Sequence, residues 1–148
     1  MSEPKIWTFF YGSFIDLGVL RILGVPLEKY EAARLSGFDI RIQPLANLIR
    51  ADRDCVYGIV ALASHDQLRR LYDYAKKELG TVYFPEPVLV ETLDGKWRPA
   101  LCYIAPEMEP RPPSNEYIEH IVELAKQYRF PDWYIARLEK FYPQTSRG

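Results

Sequence analysis

Apolar and polar positions alternate along the chain with two different periods, and the change between them marks out the elements. Ile6-Trp7-Thr8-Phe9-Phe10, an unbroken run of aromatic and β-branched residues, predicts a buried first strand; Ile15 to Leu23 then reads as an apolar helix stopped by Gly24, with Pro26 just beyond. Tyr30 to Leu35 and Phe38 to Gln43 predict two strands split by Ser36-Gly37, the second alternating strictly through Phe38-Asp39-Ile40-Arg41-Ile42. Leu45 to Ile49 adds a short strand, and Cys55 to Ala63 a longer one. Ser64 is placed to cap a helix whose stripe is Leu68, Leu71, Tyr72 and Ala75. Thr81 to Glu91 and Trp97 to Ile104 form a hairpin around Asp94-Gly95. Ala105 to Pro113 is an ordered, proline-rich connection, and helices at about 115–128 and 131–141 close a chain without repeats. Periodicity alone gives an α+β protein.

Composition narrows the classes. With 148 residues and 48% hydrophobic content the chain fits one domain, 1–148, with a sizeable core. A formal net charge of −1 and no Lys/Arg run argue against a nucleic-acid or anionic-membrane partner. No apolar run approaches the roughly 18 residues of a membrane span, and Met1 to Lys5 lacks a signal peptide's apolar stretch, so a cytoplasmic protein is expected. Cys55 and Cys102 lie in strand-like stretches and are expected to be small apolar residues rather than a disulfide. Neither His65 nor His120 has a second ligand at metal spacing, so no metal site is expected.

The stretch with most chemistry is Tyr11-Gly12-Ser13-Phe14, where the first strand gives way to the helix. A small turn at such a junction leaves backbone N–H groups unpaired and aimed at one spot, which suits a carboxylate or phosphate. The plainer alternative is a tight turn with Ser13 as the helix cap.

Two further segments follow in order: Cys55-Val56-Tyr57-Gly58-Ile59-Val60, and Pro112-Pro113-Ser114-Asn115-Glu116-Tyr117 continuing through Ile118, Ala125, Phe130-Pro131, Tyr134 and Leu138. With Tyr11-Gly12-Ser13 they resemble the γ-glutamylcyclotransferase (AIG2-like) family, whose patterns are Tyr-Gly-Ser-Asn, Val-x-Gly-Val and Pro-Pro-Ser-x-x-Tyr through Leu-Pro-x-x-Tyr-x-x-Leu. The resemblance covers nearly the whole chain. It implies a small mixed β-barrel flanked by helices, and release of 5-oxoproline from a γ-glutamyl amine or peptide with no cofactor. The partner it implies is a small γ-glutamyl or other carboxylate ligand. Tyr83 and Tyr117 match tyrosines that line the family's ligand pocket, Tyr117 offering its hydroxyl to the bound amino acid. Each has an alternative as a half-buried aromatic, a serious one in a chain with 11 tyrosines. Phe14 stands where the family has Asn, which removes one side-chain amide from the turn and keeps the backbone N–H.

In that reaction the substrate's own α-amine attacks its side-chain carbonyl. The nucleophile is tethered, so positioning supplies much of the acceleration, with effective molarities on the order of 10⁵ to 10⁸ M. A carboxylate is still needed to take the proton from an amine of pKa about 8 and hand it to the leaving nitrogen. The family carries it in a pattern like Leu-Asp-x-x-Glu-Gly with a tyrosine following. Aligned from Leu71, that pattern puts Ala75 at the glutamate. Glu78, three residues on, lies on roughly the same helical face about 4.5 Å further along and is the substitute candidate for the catalytic role; otherwise it is a solvated residue beside Lys76 and Lys77. Asp73 points to another face, and Glu86 is an odd number of strand positions from Tyr83. Three functions therefore stand open: a cyclotransferase using Glu78, a non-catalytic module binding a small carboxylate, and another acyl transfer. The position of Glu78 relative to the turn separates the first two.

Overall fold

The structure is a computed structural model that describes residues 3–143. Five strands, β1 (Lys5–Phe10), β2 (Tyr30–Ile42), β3 (Ala46–Ser64), β4 (Phe84–Thr92) and β5 (Trp97–Ile104), close into a barrel in the order β1-β3-β2-β4-β5. All pairs are antiparallel except β1 with β5, which run parallel with Phe9 opposite Cys102. Phe9, Val60, Val90 and Cys102 are fully buried. This is the mixed barrel with helices that the resemblance implies.

Three predicted elements differ in their boundaries. The two strands expected around Ser36-Gly37 are one strand, β2, whose register with β3 shifts between Ser36 and Phe38. Gly37, at φ 88, turns the chain through a bulge where only glycine sits without strain, and pairing resumes on the far side. Likewise the stretches 45–49 and 55–63 are joined by the charged run between them into the 19-residue β3. The third is the helix predicted from Ile15 to Leu23, which is interrupted. A 3₁₀ turn spans Gly12–Ile15, and only Leu17–Ile22 is α-helical (α1). The cap of α1 is Asp16 rather than Ser13: its carboxylate accepts from the N–H groups of Gly18 and Val19 at 3.0 and 3.2 Å.

Helix α2 (His65–Glu78) begins in a reciprocal capping box, Ser64 accepting from the Gln67 N–H and Gln67 accepting from the Ser64 N–H. It ends where Gly80 takes φ 74 and the Ala75 carbonyl receives the N–H groups of both Leu79 and Thr81. The last helices, α3 (Asn115–Gln127) and α4 (Asp132–Glu139), cover the outside of β3. There Tyr57 meets the rings of Phe130, Trp133 and Tyr134 at centroid distances of 5.2 to 5.9 Å. Two contacts fasten α3 to the 3₁₀ turn: Tyr128 donates its hydroxyl to the Ile15 carbonyl at 2.6 Å, and His120 lies 3.0 Å from Asp16. Among the described residues no helix is long and apolar enough to cross a membrane.

Candidate functional site

One glycine explains how β1 delivers its turn. Gly58 sits in β3 where β1 ends, and a Cβ there would lie 2.1 Å from the Phe10 carbonyl oxygen, so only glycine lets the two backbones approach this closely. The chain then enters the 3₁₀ turn through Gly12, at φ 65, where a Cβ would lie 2.4 Å from that of Ala46. The turn is thereby pressed onto the tip of the β2–β3 hairpin.

Around this junction is a narrow cleft of about 20 Å³. Tyr11, Ser13 and Phe14 line it from the turn, Leu45 and Ala46 from the hairpin tip. Tyr72 and Leu79 enter from α2 and its cap, Tyr83 from the approach to β4, Tyr103 from β5 and Tyr117 from the first turn of α3. The Ala46 backbone is held on both sides: its N–H donates to the Tyr117 hydroxyl at 3.0 Å, and its carbonyl accepts from the Tyr83 hydroxyl at 2.8 Å. Next door, Asn47 exchanges two hydrogen bonds with the Ala105 backbone at 2.8 and 2.9 Å, tying the tip to the end of β5. Tyr11 donates to the Tyr103 carbonyl at 2.7 Å. Tyr72 stacks on Tyr103 at 3.8 Å, with Tyr83 at 5.7 Å and Phe14 edge-on at 5.8 Å. Such pairs contribute roughly 0.5–1.5 kcal/mol each beyond their burial.

These bonds leave definite capacities. Tyr117 accepts from Ala46 and keeps its own O–H to donate, while Tyr11 and Tyr83 spend their protons on carbonyls and keep lone pairs. Among the described residues the N–H groups of Gly12 and Ser13 have no hydrogen-bond partner, as befits the first positions of a 3₁₀ turn. Burial raises the phenol pKa of Tyr11, Tyr72 and Tyr83. It also raises that of Tyr117, partly offset by hydrogen bonds to Ala46 and Ser13. The hydroxyls are neutral donors and acceptors at physiological pH. No cluster of His, Cys, Asp or Glu among the described residues is arranged to hold a metal ion.

Tyr11, Ser13, Phe14, Tyr83 and Tyr117 of the sequence candidates line the cleft, and Gly12 is buried against Ala46 behind them. Glu78 does not join them; it is exposed at the last position of α2. The residue that this end of α2 puts into the cleft is its neighbour Leu79. Ala75, which the pattern aligned from Leu71 puts at the glutamate, is fully buried under the helix. Glu86 pairs with Arg50 outside the cleft, and Asp73 is exposed. Sequence reasoning missed Leu45, Ala46, Tyr72, Leu79 and Tyr103. Tyr72 carried a signal in its place on the apolar stripe of α2, but the other four had none, because the hairpin tip, the end of α2 and the end of β5 meet only in three dimensions.

Residues 55–138 match the model of the AIG2-like family. Solved structures share the fold. A γ-glutamyl cyclotransferase is 23% identical with a TM-score of 0.78, over 97% of this chain and 92% of that one. An uncharacterized protein from Homo sapiens is 25% identical with a TM-score of 0.73, over 99% and 93%. A glutathione-specific γ-glutamyl cyclotransferase from yeast is 14% identical with a TM-score of 0.64, over 94% and 96%. No curated protein matches the chain in sequence.

Proposed function

The chain belongs to the AIG2-like family, and from that premise and the chemistry of its cleft we propose that it binds a γ-glutamyl or similar small amino-acid ligand without turning it over. In this reading the ligand's α-carboxylate takes the N–H groups of Gly12 and Ser13 and the Tyr117 hydroxyl. Its α-ammonium takes the lone pairs left on Tyr11 and Tyr83, and its methylene chain lies against the aromatic rings.

The observation that carries the proposal is Leu79. Cyclisation to 5-oxoproline needs a group that accepts a proton near neutral pH, and none of the ten lining residues is a carboxylate or histidine. Their phenols, raised by burial, do not titrate in that range. Glu78, the one candidate from α2, faces solvent. Cyclotransferase turnover, the finer function that the resemblance implies, would require the end of α2 to rearrange.

Calorimetric titration with γ-glutamyl-lysine, γ-glutamyl dipeptides and glutathione, beside an assay for 5-oxoproline, tests this. Saturable binding with no release is the expected outcome for the native chain. Leu79→Glu, which supplies a carboxylate at the cleft, is the variant in which release should first be detectable. Release by the native chain would overturn the proposal. A loss of roughly 10² to 10⁴ in that rate on Glu78→Gln would then assign the acid/base role to Glu78. Absence of binding across the series would remove the ligand class.

A further inference from the structure

Tyr72, Tyr83 and Tyr103 have a second face. Behind them lies an open groove of about 440 Å³, lined by the same three rings and by one side of α2. His65, Arg69, Asp73 and Lys76 recur there at helical spacing, so their side chains share that side. The two cations face a single carboxylate. Arg69 has only a loose 3.8 Å contact with Asp66 and is 67% exposed, and Lys76 forms no ion pair among the described residues. The cleft itself, by contrast, has no charged side chain in its lining.

Resting on the ligand-binding reading above, we infer that this groove is a subsite for the rest of the ligand and selects an anionic tail. The head group sits in the cleft, where neutral hydroxyls and backbone amides recognise its fixed charges. The portion beyond the γ-carbonyl passes over the outer edge of the tyrosine wall, whose Tyr72–Tyr103 pair is stacked in contact, and its terminal carboxylate meets Arg69 and Lys76. Both cations are solvated, so their effect is moderate and sensitive to salt.

The test uses three ligands with the same head and matched length: γ-glutamyl-β-alanine, γ-glutamyl-propylamine and γ-glutamyl-ethylenediamine, ending in carboxylate, methyl and ammonium. Titration into the native protein should show the carboxylate tail binding about three- to tenfold tighter than the methyl tail, with the ammonium weakest. The spread should shrink as salt is raised, and the Arg69→Gln/Lys76→Gln double variant should bring the carboxylate and methyl ligands close to equality. Equal binding of all three by the native protein, or a preference that survives in the double variant, would overturn the groove assignment and leave the cleft standing. Failure of all three to bind would overturn both.

Discussion

Ala46 shows how much of the site depends on the backbone of one residue. Its N–H and carbonyl are buried between Tyr117 and Tyr83, and its Cβ is the surface against which Gly12 packs. The two tyrosines are not equivalent. Tyr117→Phe removes the acceptor of a buried N–H, a donor that has no alternative partner, and should cost about 1–3 kcal/mol of stability as well as a ligand hydrogen bond. Tyr83→Phe removes one donor from a carbonyl and should cost about 0.5–1.5 kcal/mol. Urea denaturation of the two variants side by side checks the order; equal or reversed costs would mean that the Ala46 N–H finds another partner. Sequence alone reached Tyr117 and Tyr83 as pocket residues, but not the backbone that holds them. An alanine in a hairpin has no chemistry to advertise.

At the scale of the element, α2 sets what the cleft contains, because its two ends fix its rotation. The capping box at Ser64 sets the start, and the left-handed Gly80 sets the stop that leaves Leu79, itself partly exposed, at the edge of the cleft. Ser64→Ala should therefore cost about 1 kcal/mol, typical of a lost N-cap, seen as a lower melting temperature. A cost near zero would show that packing of Leu68, Leu71 and Ala75 alone positions the helix. The start was legible in the sequence, since a serine before an apolar stripe has a local cause, whereas the stop at Gly80 was read only from the backbone. The strands were legible in type but not in length. Arg50 to Asp54 carries charge on both sides of the strand because that part of the hairpin is solvated on both, so no alternation marks it as β3. The predicted helix from Ile15 failed for a related reason. Apolar spacing runs on through Asp16, and only the backbone shows that this carboxylate folds onto Gly18 and Val19 to start a new helix.

The whole molecule carries a pH liability made of tyrosines. Desolvation raises the phenol pKa of Tyr11, Tyr72, Tyr83, Tyr117 and Tyr134, and that of Tyr128 is pushed up to about 12. A phenol raised above its unfolded value of about 10 keeps its proton in the folded state while the unfolded chain loses it. The unfolded state then binds fewer protons, so the stabilisation is complete below about pH 10 and is lost as pH rises through the folded values. Melting temperatures should be flat to about pH 10 and then fall steeply, and the buried rings should add their tyrosinate absorbance only as structure is lost. The absorbance of all 11 tyrosines on an intact fold would show that the buried rings are reached by solvent. The parallel pairing of β1 with β5 has a different consequence, one that concerns the making of the chain. The first strand lies beside residues 59–64 and 101–102, so during synthesis it waits until residues 101–102 have followed before its second neighbour exists. Tyr117, which completes the cleft, arrives later still. A ribosome must therefore release the chain past Tyr117 before the cleft has all its walls.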